Sequence, residues 1–106
     1  MTGGGDVLGH SERSKRREKL LIEVAEFEKG GNFDEKTKSA IHDASILLRD
    51  AVVSAFQYDE DEAIEALSDA VEAMKGADQR ALEVFQAIVE KIELLGQIDK
   101  RDYHAK

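Results

Sequence analysis

The sequence predicts an all-α fold, a small antiparallel up-and-down helical bundle of four helices. Three observations carry this. The 106 residues contain no proline, and seven of the eight glycines (3, 4, 5, 9, 30, 31 and 76) fall at a tail or between apolar stretches. Apolar residues recur at intervals of three and four in four separate stretches. Val, Ile and Thr never alternate with polar residues at period two, so no strand is expected. The competing arrangement is a three-helix core with a detached or swapped first helix.

Residues 1–10 are Gly-rich and without periodicity, which reads as a flexible tail. The first helix is expected over 11–29, with Ser11 as N-cap and Leu20, Val24 and Phe27 as a narrow apolar stripe widened by Leu21. The preceding RSKRREK run has no apolar residue and is expected to project beyond the core or fray. Gly30 and Gly31 close the helix, because glycine accepts a left-handed conformation.

The second helix is expected over 33–56, opened by Asn32 and Glu35 as a capping box. Ile41, Ala44, Leu48, Ala51, Val52 and Ala55 share one face, while Ile46, Leu47 and Val53 lie on others. A helix apolar on most sides is a central one. Gln57, Tyr58 and Asp59 form a tight connection, with Asp59 as the next cap. The third helix, over 60–75, buries Ile64, Leu67, Val71 and Met74 and ends at Gly76. The fourth, over 78–98, carries the stripe Leu82, Phe85, Ile88, Val89, Ile92 and Leu95, with Val84, Leu94 and Ile98 outside it. Residues 99–106 read as a polar tail. Short turns between helices make neighbours antiparallel.

Within this pattern, Ala63, Leu67 and Ala70 after a helix and a tight turn resemble the second helix of a tetratricopeptide repeat. The aromatic and glycine signature of the first repeat helix is missing, and so is the closing proline. A generic helical hairpin is therefore the reading.

Composition narrows the function classes. Hydrophobic residues make up 42% and charged residues 36%, too apolar for a disordered chain and too charged for a membrane protein. No secretory signal pattern stands at the start, so a cytoplasmic location is expected. Without cysteine there are no disulfides, thiolate nucleophiles or thiolate metal sites. His42 is the only histidine inside the helical stretches, and Ser39 stands where a di-metal carboxylate bundle needs glutamate. Ile64 occupies the sixth position of a loop begun at Asp59, where a calcium loop needs glycine. There is no Gly-x-Ser-x-Gly and no phosphate loop. No enzyme activity, cofactor or metal is expected.

Charge distribution is more informative than the net −8. Residues 1–19 hold Arg13, Lys15, Arg16, Arg17 and Lys19 against three carboxylates, so the rest of the chain carries −10. Residues 50–74 hold eight carboxylates and no Lys or Arg. On the third helix Asp61, Glu65, Asp69 and Glu72 form one column opposite the apolar stripe. An ordinary solvated face gains about 0.2–0.5 kcal/mol per opposite-charge pair at i,i+4, whereas like-charged Asp61–Glu65 and Glu65–Asp69 lose as much. Burial of four apolar side chains at about 1.5–3 kcal/mol each easily carries that loss. Stability tolerates the column without explaining it.

The expected function is a non-enzymatic acidic interaction module that binds a basic protein surface. Tyr58 is the expected anchor, with Asp59, Asp61, Glu62, Glu65, Asp69 and Glu72 supplying charge. The partner could be a second copy, docking its Arg13–Lys19 strip on the column; Ile46, Val53, Val84 and Leu94 off the stripes agree with self-association. One alternative is an acidic mimic of nucleic acid that inhibits a DNA- or RNA-binding protein. Another is nucleic-acid binding through the basic strip, which the acidic body opposes. No membrane partner is expected.

Overall fold

The computed structural model of the protein describes the backbone of residues 4–96 and the side chains of residues 12–96. It contains four helices: α1 (Gly4–Lys29), α2 (Glu35–Phe56), α3 (Glu60–Ala73) and α4 (Gln79–Gly96). Among the described residues there is no strand. The expected four-helix, all-α bundle is what the chain forms. The 99–106 tail and the end of the fourth helix at residue 98 lie outside the described residues.

α2 is the central helix and packs against the other three, while α3 lies chiefly against α2. Cross-helix contacts fix the directions. The Arg13 guanidinium, in the first half of α1, reaches carbonyls at the end of α2 and at Leu95 of α4. The backbone N–H of Asp78, just before α4, donates to Thr37 Oγ1 in the first turn of α2 (3.1 Å). So α2 and α4 run parallel, and α1 is antiparallel to both. α3 returns antiparallel along α2, and the segment joining it to α4 crosses the first turn of α2. Thr37 is buried there, and the bond from Asp78 satisfies its oxygen.

The core follows the apolar stripes, except that Ile64 and Val71 of α3 and Leu82 of α4 are only partly buried; α3 turns its alanines and Leu67 onto α2 instead. Leu20, Val24 and Phe27 of α1 are buried with Ile41, Leu48 and Val52 of α2, Leu67 and Met74 beside α3, and Phe85, Ile88, Val89, Ile92 and Leu95 of α4. Phe27 and Phe85 meet in a tilted ring contact with centroids 6.2 Å apart. α1 is thus part of the core from Leu20 onward, which overturns the detached-helix arrangement. α3 buries four alanines or leucines against α2 (Ala63, Ala66, Leu67, Ala70), and its small residues let the two backbones approach closely.

Three boundaries differ from the expectation. α1 begins at Gly4, not Ser11. A helix already nucleated extends one residue at a time, and each glycine costs only about 1 kcal/mol relative to alanine. α2 is capped by Asp34, not by Asn32: the Asp34 carboxylate accepts from the Thr37 N–H (2.9 Å) and is held below its ordinary range by that bond. Asn32 instead gives its carbonyl to Arg80. α3 ends at Ala73 with Met74 as its C-cap, two residues before the expected end at residue 75. The left-handed glycines fall at two expected ends, Gly30 (φ 65°) after α1 and Gly76 (φ 82°) after α3.

Candidate functional site

The two charged stretches have different fates. RSKRREK neither projects nor frays. Two of its cations, Arg13 and Arg17, lie half-buried on α1, one turn apart, against the end of α2. The Arg13 guanidinium donates to the carbonyls of Phe56 (3.1 Å), Ala55 (3.5 Å) and Leu95 (3.0 Å). It also stacks over Tyr58 (4.2 Å) and Phe56 (5.0 Å), and Arg17 stacks over Phe56 (4.4 Å). The cause is elementary. The last carbonyls of a helix lack intrahelical partners and carry the negative end of its dipole. The end of α2 meets α4 at Leu95 because the two helices are parallel, and a planar guanidinium reaches carbonyls of both. Arg13 and Arg17 are therefore structural; Lys15, Arg16 and Lys19 of the strip are exposed, with Arg16 3.8 Å from Glu12.

The acidic column does stay outside. Asp59, Asp61, Glu62, Glu65, Asp69 and Glu72 are all exposed. Two of them have local duties. Asp59 caps α3, accepting from the Glu62 N–H (3.4 Å), and Glu72 lies 3.4 Å from Lys75. Among the described residues, no Lys, Arg or His reaches within 4 Å of Asp61, Glu65 or Asp69. Several basic side chains elsewhere are engaged: Arg49 and the His42 ring on Glu28 (2.8 and 3.2 Å), Lys91 on Glu23 (2.9 Å) and Arg80 on Asp78 (3.2 Å). The bond from Arg49 holds the Glu28 carboxyl below its ordinary range.

α2 adds to the column. The Glu62 carboxyl meets that of Asp50 across the α2–α3 contact, and its pKa is raised by the hydrogen bond with Asp50, then by the Asp50 charge. Glu65 and Asp59 push in the same direction. The antiparallel register that sets Asp50 against Glu62 also sets Lys36 against Gly76 at the far end. Carried one heptad from Asp50 and Glu62, it puts Asp43 on the same rim as Asp69, and both are exposed. The α2–α3 seam is thus edged by carboxylates from two helices. Beside it, Ile46 (49% exposed) and Val53 (42% exposed) form an apolar pair one heptad apart on α2.

Tyr58, the expected anchor, is 64% exposed but has one ring face covered by Arg13. It sits at φ 60°, a left-handed conformation unusual outside glycine, where it turns the chain from α2 into α3. Its first role is in that turn. From the sequence, Ile46 and Val53 stood out only for self-association, Asp50 only among the acids of residues 50–74, and Asp43 not at all. Their signal was present: Asp43 and Asp50, like Glu62 and Asp69, are spaced by seven. No group of acids and histidines among the described residues is arranged to hold a metal ion, and no described helix is long and apolar enough to cross a membrane. Comparison with protein-family models, with curated proteins and with solved structures found no match to the chain.

Proposed function

We propose that the protein is a non-enzymatic interaction module whose α2–α3 face takes a basic, amphipathic segment of another protein. The observation that carries this is the facing of Asp50 and Glu62 with no cation between them, continued by Asp61, Glu65 and Asp69. Like charges held across a helix pair cost stability, and an incoming Lys or Arg turns that cost into attraction. Ile46 and Val53 supply the apolar half of the surface, which suits a helix laid along the seam. Charge steers the encounter and selects the partner, and the two apolar side chains retain it.

The test is a titration with a synthetic helical peptide carrying Leu on one face and Lys on the other, followed by amide chemical shifts. Changes are expected at Ile46, Asp50, Val53, Glu62 and Asp69. The double variant Asp50→Lys, Asp69→Lys is expected to weaken binding by tenfold or more. Equal binding of a scrambled peptide, which has the same charge but no apolar face, would sink the reading.

One observation favours a second reading, mimicry of nucleic acid. The carboxylates stand on two helices, as a decoy for a duplex-binding protein requires, and not on α3 alone. Competition separates the two: a protein partner displaced by duplex DNA or RNA belongs to the mimic, and one indifferent to both does not.

A further inference from the structure

A second surface of opposite character lies on the far side of the molecule. α1 and α4 enclose a groove of about 300 Å³. Its floor is Leu20, Leu94 and Leu95, and its rims carry Arg16, Lys19 and Glu23 from α1 and Lys91 from α4, with Lys91 bonded to Glu23 (2.9 Å). Leu94 is 74% exposed, the most exposed large apolar side chain among those described. Glu28, on one flank of α1, reaches Arg49 and His42 of α2. Glu23, on the opposite flank, reaches Lys91 of α4. The groove therefore opens away from α2, whereas α3 lies on α2 and its acids point outward from there.

We infer that the groove is the docking site for the α2–α3 face of a second copy of this chain, giving head-to-tail association. This rests on the function proposed above and names its partner. The match is chemical on both halves. The rim stays net positive: among the described residues Lys19 is outside any ion pair, Arg16 makes only a long exposed contact with Glu12 (3.8 Å), and Lys91 is shared with Glu23. It meets a face whose Asp61, Glu65 and Asp69 lack cations of their own, and Leu94 meets the apolar pair Ile46 and Val53. It also differs from a docking of the whole basic strip, since Arg13 and Arg17 are taken up by the fold and Lys91 comes from another helix.

Geometry dictates the kind of assembly. Two different faces on opposite sides form a heterologous contact, which builds open chains or rings and not a two-fold dimer. Its strength is limited, because α3 spans only about 21 Å at 1.5 Å per residue. The contact sits at or below the low end of specific interfaces, about 1,200 Å², so a Kd on the order of 100 μM is expected. Net charge opposes it at long range. At 0.1 M salt the Debye length is about 10 Å, which screens the bodies from one another but leaves close pairs intact.

Sedimentation velocity on the full chain up to about 1 mM tests this. At 0.1 M salt the average mass is expected to climb with concentration to at least twice the 11.8 kDa monomer, and to fall back at 0.5 M. Two variants give the decisive arm. One neutralises the face (Asp50→Asn, Glu62→Gln, Asp69→Asn), the other the groove (Arg16→Gln, Lys19→Gln, Lys91→Gln). Each alone is expected to stay monomeric. Their equimolar mixture is expected to form a heterodimer and stop there, since only one intact face and one intact groove remain; that recovery also shows both variants folded. A wild-type chain that is monomeric at 1 mM, or a mixture that stays monomeric, overturns the inference. So does self-association that appears only after residues 97–106 are deleted, which would give the groove to that segment. If the wild type is monomeric yet the Leu/Lys peptide still shifts the α2–α3 amides, the proposed function stands and only the second-copy partner falls.

Discussion

The basic start of α1 and the acidic face of α3 are both charge runs in the sequence, yet the fold consumes one and leaves the other standing. Arg13 and Arg17 reach the end of α2, where carbonyl oxygens and aromatic faces receive them, and Arg13 also bonds the Leu95 carbonyl of the parallel α4. Asp61 stands in the first turn of α3, where the helix dipole favours it. Glu65 and Asp69 have no such reception, because the middle of a helix offers carboxylates no free N–H. The lesson is that a cation on a long, apolar stem can become part of a core's edge, while a short carboxylate must find a helix start or a cation. Asp34, Asp59 and Asp78 find N–H groups at helix starts. Glu65 and Asp69 of the column do not, and what the fold does not use is open to a partner.

Breaking the consumed half should have the largest effect. Arg13→Ala removes the guanidinium that ties α1 to the end of α2 and to Leu95 of α4, and leaves those carbonyls without it. Hydrogen bonds to charged groups contribute about 1.5–3 kcal/mol, and Arg13 is only half-buried, so a loss of about 2 kcal/mol in urea unfolding is expected. Arg13→Lys should recover less than half, because an ammonium cannot fork between two helices or stack flat on Tyr58. Full recovery by lysine would show that charge alone holds the junction, and the contrast with α3 would lose its basis.

That contrast marks how far the sequence could be read. Stripes such as Leu20, Val24 and Phe27 announced their burial, and Gly30 and Gly76 announced the turns, since both depend on local spacing. The fate of Arg13 did not show, because its partners lie at 55, 56 and 95 and meet only when α2 and α4 run parallel. Likewise Asp50 was visible as an acid, but its opposition to Glu62 depends on the α2–α3 register. The choice of Asp34 over Asn32 as cap lies below what residue type reveals, since both side chains cap well.

A smaller effect tests the standing half. The Glu62 carboxyl is raised above its ordinary 4.5 by Asp50. A carboxyl whose folded pKa is raised favours the fold below its unfolded pKa, and that support is lost as pH climbs through the folded value. Glu62→Gln removes the ionisation while keeping a group able to bond Asp50. The urea midpoint of this variant is expected to lie slightly above wild type at pH 7 and to converge with it near pH 4. Glu28, Asp34 and Asp78 shift the other way, so they withdraw support as pH falls through their lowered values, and they belong to both proteins alike. A midpoint lowered at pH 7 would mean that Glu62 is already paired, and the acidic rim would no longer be waiting for a cation.

The smallest change is expected where the two halves touch, at Tyr58. Its left-handed backbone costs a non-glycine residue about 1–2 kcal/mol, which Tyr58→Gly would release. Against this, glycine gives up the stack beneath Arg13, about 0.5–1 kcal/mol, and adds a similar entropy cost in the unfolded chain. These terms cancel to within about 0.5 kcal/mol, so urea unfolding should barely move. Binding of the Leu/Lys peptide, in contrast, discriminates. If Tyr58 serves the turn alone, its removal leaves the peptide affinity within about twofold. A tenfold loss at unchanged stability would restore Tyr58 as an anchor, and would extend the partner surface from the α2–α3 rim onto the turn that Arg13 supports.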